Sequence, residues 1–98
     1  MAAGFVELET CARTDESELI ARVNSTARRL IPAAWPAKHK CQVRRMIDSY
    51  RKLRLSGLSH RHARNTVVGL STASDLVTGQ FVNVINKAVA SLHHPSEG

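Results

Sequence analysis

The stretch AKHKCQVRRMIDSYRKLRL, residues 37–55, decides how this chain is read. With 3.6 residues per turn, Val43, Met46, Ile47, Tyr50 and Leu53 fall on one side of a helix. Lys38, Lys40, Arg44, Arg45, Arg51 and Lys52 spread over the other side, with Asp48 as the single acid among them. The spacing predicts an amphipathic helix from Ala37 to Leu55 whose polar face is almost wholly basic. Gly57 stands where a left-handed residue closes such a helix.

Upstream, IPAAWPAK reads as a connector, and Trp35 between two prolines is expected to plug the core near the helix junction rather than to stack on a base. Before it, a first helix is predicted from Asp15 to Leu30. Thr14 is a natural N-cap; Asp15, Glu16 and Glu18 suit the positive end of the dipole, and Arg28 and Arg29 suit the other. Leu19, Ile20, Val23, Ala27 and Leu30 form its apolar stripe. The segment from Phe5 to Ala12 alternates weakly and reads as a short strand or an extra helical turn, so residues 1–13 are expected to be loosely ordered or to form that strand.

Downstream, Ser59 can cap a short helix to about Leu70, with Ala63, Val67 and Leu70 inward and Gly69 at its end. Ser71 or Thr72 then caps a last helix from about Ala73 to Leu92, and residues 93–98 read as a frayed tail. Pro32, Pro36 and Pro95 all fall at these boundaries. The expected fold is all-α: a small bundle or open array of three to four helices, forming a single helical domain over residues 1–98. A chain of 98 residues has no room for two domains. In the last helix Val77, Phe81, Val84, Ile85, Ala88, Val89 and Leu92 cover a broader arc than one side of a monomeric bundle needs. A homodimer is therefore expected, with Phe81, Ile85, Ala88 and Leu92 at its interface. Gly79 within that helix weakens it or permits close packing against a neighbour.

The charge is segregated. The net charge is +6, yet residues 1–27 carry two bases against five acids, and residues 65–98 carry Lys87 against Asp75 and Glu97. Residues 28–64 carry eleven bases against Asp48 alone. A solvated face usually interleaves both signs; this one does not, and it points to a polyanionic partner. The expected contact set is Arg28, Lys38, Lys40, Arg44, Arg45, Arg51, Lys52, Arg54, Arg61 and Arg64, helped by Arg29. Asp48 is expected to pair with Arg44, Arg45, Arg51 or Lys52 on its own helix. His39, His60 and His62 lie in the same stretch; at the contact, their protonation below about pH 6.5 would tighten binding.

Other chemistries find little support. His39/Cys41 and His60/His62 are two residues apart, which on a helix sets them on nearly opposite sides, so no metal site is expected. There is no glycine-rich phosphate loop, no nucleophile elbow and no carboxylate pair, so neither an enzyme nor a cofactor is expected. No apolar run reaches a membrane span, and MAAGFVELET lacks the features of a leader. With Cys11 and Cys41 as plain thiols, an intracellular protein of cytoplasm, nucleoid or nucleus is the expectation.

The sequence thus predicts a small nucleic-acid-binding regulatory or accessory protein, of the kind phages, plasmids and viruses encode, that grips phosphates through its basic helix. LRLSGLSHRHARNTVVGLSTASDLV, residues 53–77, also has a helix-turn-helix outline, in which Ser74, Gln80 and Asn83 would read bases. Its spacing is imperfect, and the would-be recognition segment TASDLVTGQFVN has no Arg or Lys. The alternatives are a double-stranded RNA binder acting on shape, such as a viral silencing suppressor, and a helical module docking its basic face on an acidic protein.

Overall fold

A computed structural model describes the backbone of residues 2–93 and the side chains of residues 16–92. The chain forms four helices: α1 (Ala2–Arg29), α2 (Ala37–Leu55), α3 (His60–Leu70) and α4 (Asp75–His93). No strand occurs among the described residues.

α1 differs from expectation at its start. It runs unbroken from Ala2, so Thr14 lies inside it rather than capping it, and residues 2–13 take the helical alternative instead of a short strand or a loose segment. The residues explain this. Ala2, Ala3, Glu7, Leu8, Glu9, Ala12 and Arg13 are good helix formers, and no proline interrupts them. Extending a helix already nucleated by packing costs little. At its other end the Leu30 amide still donates to the Thr26 carbonyl at 3.0 Å. Pro32 then lacks an amide and disfavours helix at Ile31. The buried stripe is Ile20, Val23, Ala27 and Ile31, while Leu19 and Leu30 sit at its exposed margins.

Pro36 is the N-cap of α2, and its carbonyl accepts from the Lys40 amide at 3.0 Å. Its end is a Schellman closure. The Gly57 amide donates to the Arg54 carbonyl at 3.0 Å and the Leu58 amide to the Leu53 carbonyl at 3.2 Å. Gly57 supplies the positive φ, 110°, that this requires. Leu53 and Leu58 both pack on the core, completing the motif's apolar contact. α3 starts two residues later, with Ser59 Oγ accepting from the His62 amide at 3.2 Å.

The cap of α4 is Ser74, whose Oγ accepts from the Val77 amide at 3.3 Å. This corrects the assignment to Ser71 or Thr72: the Ser71 hydroxyl is engaged by the Ala73 amide at 3.0 Å. α4 extends to His93; the tail expected to fray, residues 94–98, lies outside the described residues.

α1 and α4 both pack on α2 and on each other, and α3 packs on α2. Val43, Met46, Ile47 and Tyr50 from α2 meet Val77, Phe81, Val84, Ile85 and Ala88 from α4, closed by Val23 and Ala27 of α1 and Ala63 and Val67 of α3. Trp35 packs against this core from the connector, as expected. The broad arc of α4 is thereby explained within one chain. Phe81, Ile85 and Ala88 are fully buried, and Leu92 is half-buried against the same cluster. They belong to the core of the single chain, because α4 is sandwiched by two helices and needs two apolar sides. α3 leans chiefly on α2 and packs less on α4.

Two glycines of similar appearance have opposite roles. A Cβ at Gly79, in the exposed interior of α4, would meet nothing within 4 Å, so no close approach depends on it. Gly57 also has space, but its φ is left-handed. We expect Gly79→Ala to stabilise the fold by about 0.5–1 kcal/mol and Gly57→Ala to destabilise it by about 1–2 kcal/mol. Urea denaturation of the two variants checks both signs.

Candidate nucleic-acid interface

α2 exposes the side opposite Val43, Met46, Ile47 and Tyr50. Arg44, Arg45, Arg51, Lys52 and Lys38 all project there, each exposed. They form two rows. Lys38, Arg45 and Lys52 recur every seven residues on one flank, and Arg44 and Arg51 on the other. Cys41, Asp48 and, at the helix end, the exposed Leu55 lie between the rows.

The single acid of the basic stretch is taken up from outside the helix. Asp48 Oδ1 pairs with Arg28 Nη2 of α1, and this is the only ion pair among the described residues. The pairing corrects the expectation of a partner on α2 itself. It also withdraws Arg28 from the free cations, because α1 ends beside this flank of α2. Both side chains remain about half exposed, so the pair contributes little stability. Its electrostatic effect is local: the cations of α2 keep their full charge and have no carboxylate partner among the described residues.

Three further members of the expected set are structural fasteners. Arg54 Nη1 donates to the Leu58 carbonyl at 2.8 Å and so braces the turn after α2. Arg64 Nη1 donates to Asn86 Oδ1 at 3.1 Å, joining α3 to α4. Lys40 Nζ donates to the Ala33 carbonyl at 3.2 Å, tying α2 to the connector. All three are half-buried. Arg61 and Arg29, by contrast, are exposed. The candidate surface therefore contracts to Lys38, Arg44, Arg45, Arg51 and Lys52, with Arg61 and Arg29 on the neighbouring helices.

The histidines divide as well. His62 is exposed, and its Nδ1 lies 3.2 Å from Ser59 Oγ. His39 is half-buried in a cleft of about 240 Å³ with Lys38, Gln42, Thr72 and Ser74. His60 is not at the surface contact at all. Its Nδ1 is 2.8 Å from the Tyr50 hydroxyl and its Nε2 is 3.2 Å from Asn86 Oδ1. Since Asn86 Oδ1 also accepts from Arg64, it is the acceptor for both; His60 Nε2 then carries the proton and Nδ1 accepts from the Tyr50 O–H. This chain joins α2, α3 and α4. Sequence reasoning placed Tyr50 in the core but missed its partners. The available signal was the phenol itself, since a buried tyrosine hydroxyl demands a partner.

Beside Arg45, α2 and α3 leave an open apolar cleft of about 170 Å³, floored by Met46, Leu53 and Val67 and bordered by Leu70. Among the described residues no three His, Cys, Asp or Glu side chains converge as metal ligands, and no helix is long and apolar enough to cross a membrane.

Burial raises the Tyr50 phenol above its ordinary value of 10.0, with Arg54 and Arg64 opposing the shift. The native state thus holds its proton after the unfolded state has lost it. Stability from this site is full below pH 10 and falls as pH rises above it. Tyr50 is the only tyrosine, so tyrosinate absorbance should report ionisation shifted to the alkaline side and coincident with unfolding. Independently, Asp48→Ala should cost less than about 1 kcal/mol in denaturation and should strengthen retention on a polyanion column, because it releases Arg28.

Compared with known proteins, the chain matches no family model, no curated protein and no solved structure at a significant level.

Proposed function

We propose that the protein binds nucleic acid through the phosphate backbone, with the outward side of α2 as the contact. One observation carries this reading. Five exposed cations stand on a single rigid helix, and the only acid among them is neutralised by an arginine from another helix. Ordinary surfaces mix charges to stay inert, whereas a one-sign surface attracts and holds a polyanion. Cations spaced over several turns meet successive phosphates, and each contact releases condensed counterions. Such contacts hold the backbone and confer little sequence preference. The biological role that fits is that of a small regulatory or accessory protein.

A helix-turn-helix mode has less support, since the cations belong to α2, not to α4, and Gln80 is half-buried. A second reading draws on the apolar cleft next to Arg45: an acidic peptide with a few large apolar side chains would suit that combination of charge and apolar floor.

Fluorescence anisotropy with labelled duplexes and single strands at two salt concentrations tests the proposal. Binding should occur at near-physiological salt and weaken steeply as salt rises. Reversing Arg44, Arg45, Arg51 and Lys52 to Glu should abolish it while circular dichroism stays helical, because all four side chains are exposed. Single Ala replacements should each flatten the log–log salt dependence by roughly one unit, equally on all sequences. Absence of binding to every nucleic acid would leave the acidic-peptide reading.

A further inference from the structure

Resting on the nucleic-acid reading above, we infer that the partner is double-stranded RNA, gripped across its shallow minor groove by the two cation rows of α2. Row geometry comes first. Lys38, Arg45 and Lys52 lie at intervals of about 10 Å along the helix, and Arg44 and Arg51 repeat that interval on the other flank. The rows are roughly a third of a turn apart, which on a helix about 10–12 Å in diameter, side chains included, separates them by about 9–10 Å. A single strand offers one line of phosphates and leaves one row idle. Two rows at this separation match two phosphate strands facing each other across a groove.

The strip between the rows suits that position. Cys41 is short and uncharged, Leu55 at the helix end carries no charge, and Asp48 is neutralised by Arg28, so no free carboxylate faces the phosphates. Single-strand recognition usually adds exposed rings on which bases stack. Here Tyr50 and Phe81 are buried and Trp35 packs on the core, so among the described residues no Phe, Tyr or Trp stands free beside the rows.

Groove shape then separates RNA from DNA. α2 is hemmed in on both flanks: α1 reaches it through Arg28 and Asp48, and α3 borders it at the cleft beside Arg45. It cannot sink into a groove like the B-DNA major groove, which is about 8.5 Å deep. The B-DNA minor groove, about 6 Å wide, is narrower than the row separation. The A-form minor groove is wide and shallow and offers both phosphate strands and 2′-hydroxyls to a surface that rests on it without entering.

The test uses the full chain and labelled 20-base-pair duplex RNA, duplex DNA of the same sequence, and the single RNA strand, at matched salt. Duplex RNA should bind at least tenfold tighter than either competitor, and scrambling its sequence should change affinity less than twofold. Removing either row, by K38A/R45A/K52A or by R44A/R51A, should weaken duplex RNA binding at least tenfold with helix content unchanged. The single variants Arg45→Ala and Arg51→Ala give the same comparison, at smaller amplitude, should a multiple variant fail to fold. Equal or tighter binding of duplex DNA or of the single strand overturns the inference while leaving the nucleic-acid reading in place, as does loss confined to one row. Failure of all three nucleic acids to bind overturns both.

Discussion

Everything in this fold follows from the two-sidedness of α2. Seven bases against one acid on this helix cannot be buried unpaired, because an unpaired charge in an apolar interior is prohibitively costly. The cations must face water, so Val43, Met46, Ile47 and Tyr50 must face inward together. That single orientation defines where the other helices go. α1 and α4 cover the apolar side of α2 and each other, and α3 closes the remaining edge. The charged surface and the core are thus two consequences of one helical register.

Much of this was legible because the governing patterns are local. The bounds of α2 follow from Pro36, Gly57 and a clean 3.6-residue period. The Ser59 cap follows from hydroxyl chemistry, and most inward positions of α2, α3 and α4 follow from spacing, but Leu70, expected inward at the end of α3, is 79% exposed because the helix ends there with nothing packed over it. What was not legible depends on which helix neighbours which. Phe81 and Ile85 read as surplus because a helix between two others needs more apolar surface than an isolated amphipathic helix suggests. Asp48 read as an i±4 partner on its own helix, whereas Arg28 reaches it from twenty residues away. Arg54 and Arg64 read as free cations because composition does not distinguish a guanidinium in water from one holding a carbonyl or an amide. The start of α1 is only partly legible: the weak period-2 pattern over residues 5–12 leaves a short strand and an extra helical turn both open, and plain helix propensity decides for the helix.

One group of polar side chains in the interior is joined. Among the described residues no charged residue is fully buried, and a line of hydrogen bonds runs from the buried Tyr50 hydroxyl through half-buried His60 to Asn86 and Arg64. Directional bonds of this kind add geometric selectivity to an interior otherwise packed by volume alone. They fix the angle at which α3 meets the other helices, since His60 must satisfy a donor on α2 and an acceptor on α4 together.

That same line bears on how the molecule comes apart. α3 contributes only Ala63 and Val67 to the buried core, while α1, α2 and α4 touch one another directly. The three longer helices are therefore a nearly complete cooperative unit, and α3 is a subordinate one fastened by two small apolar side chains and a handful of hydrogen bonds. Local opening is cheapest where apolar burial is least. Amide exchange in α3 should accordingly outpace that in the middle of α2 and α4, with the Gly57 turn as the hinge about which it swings away.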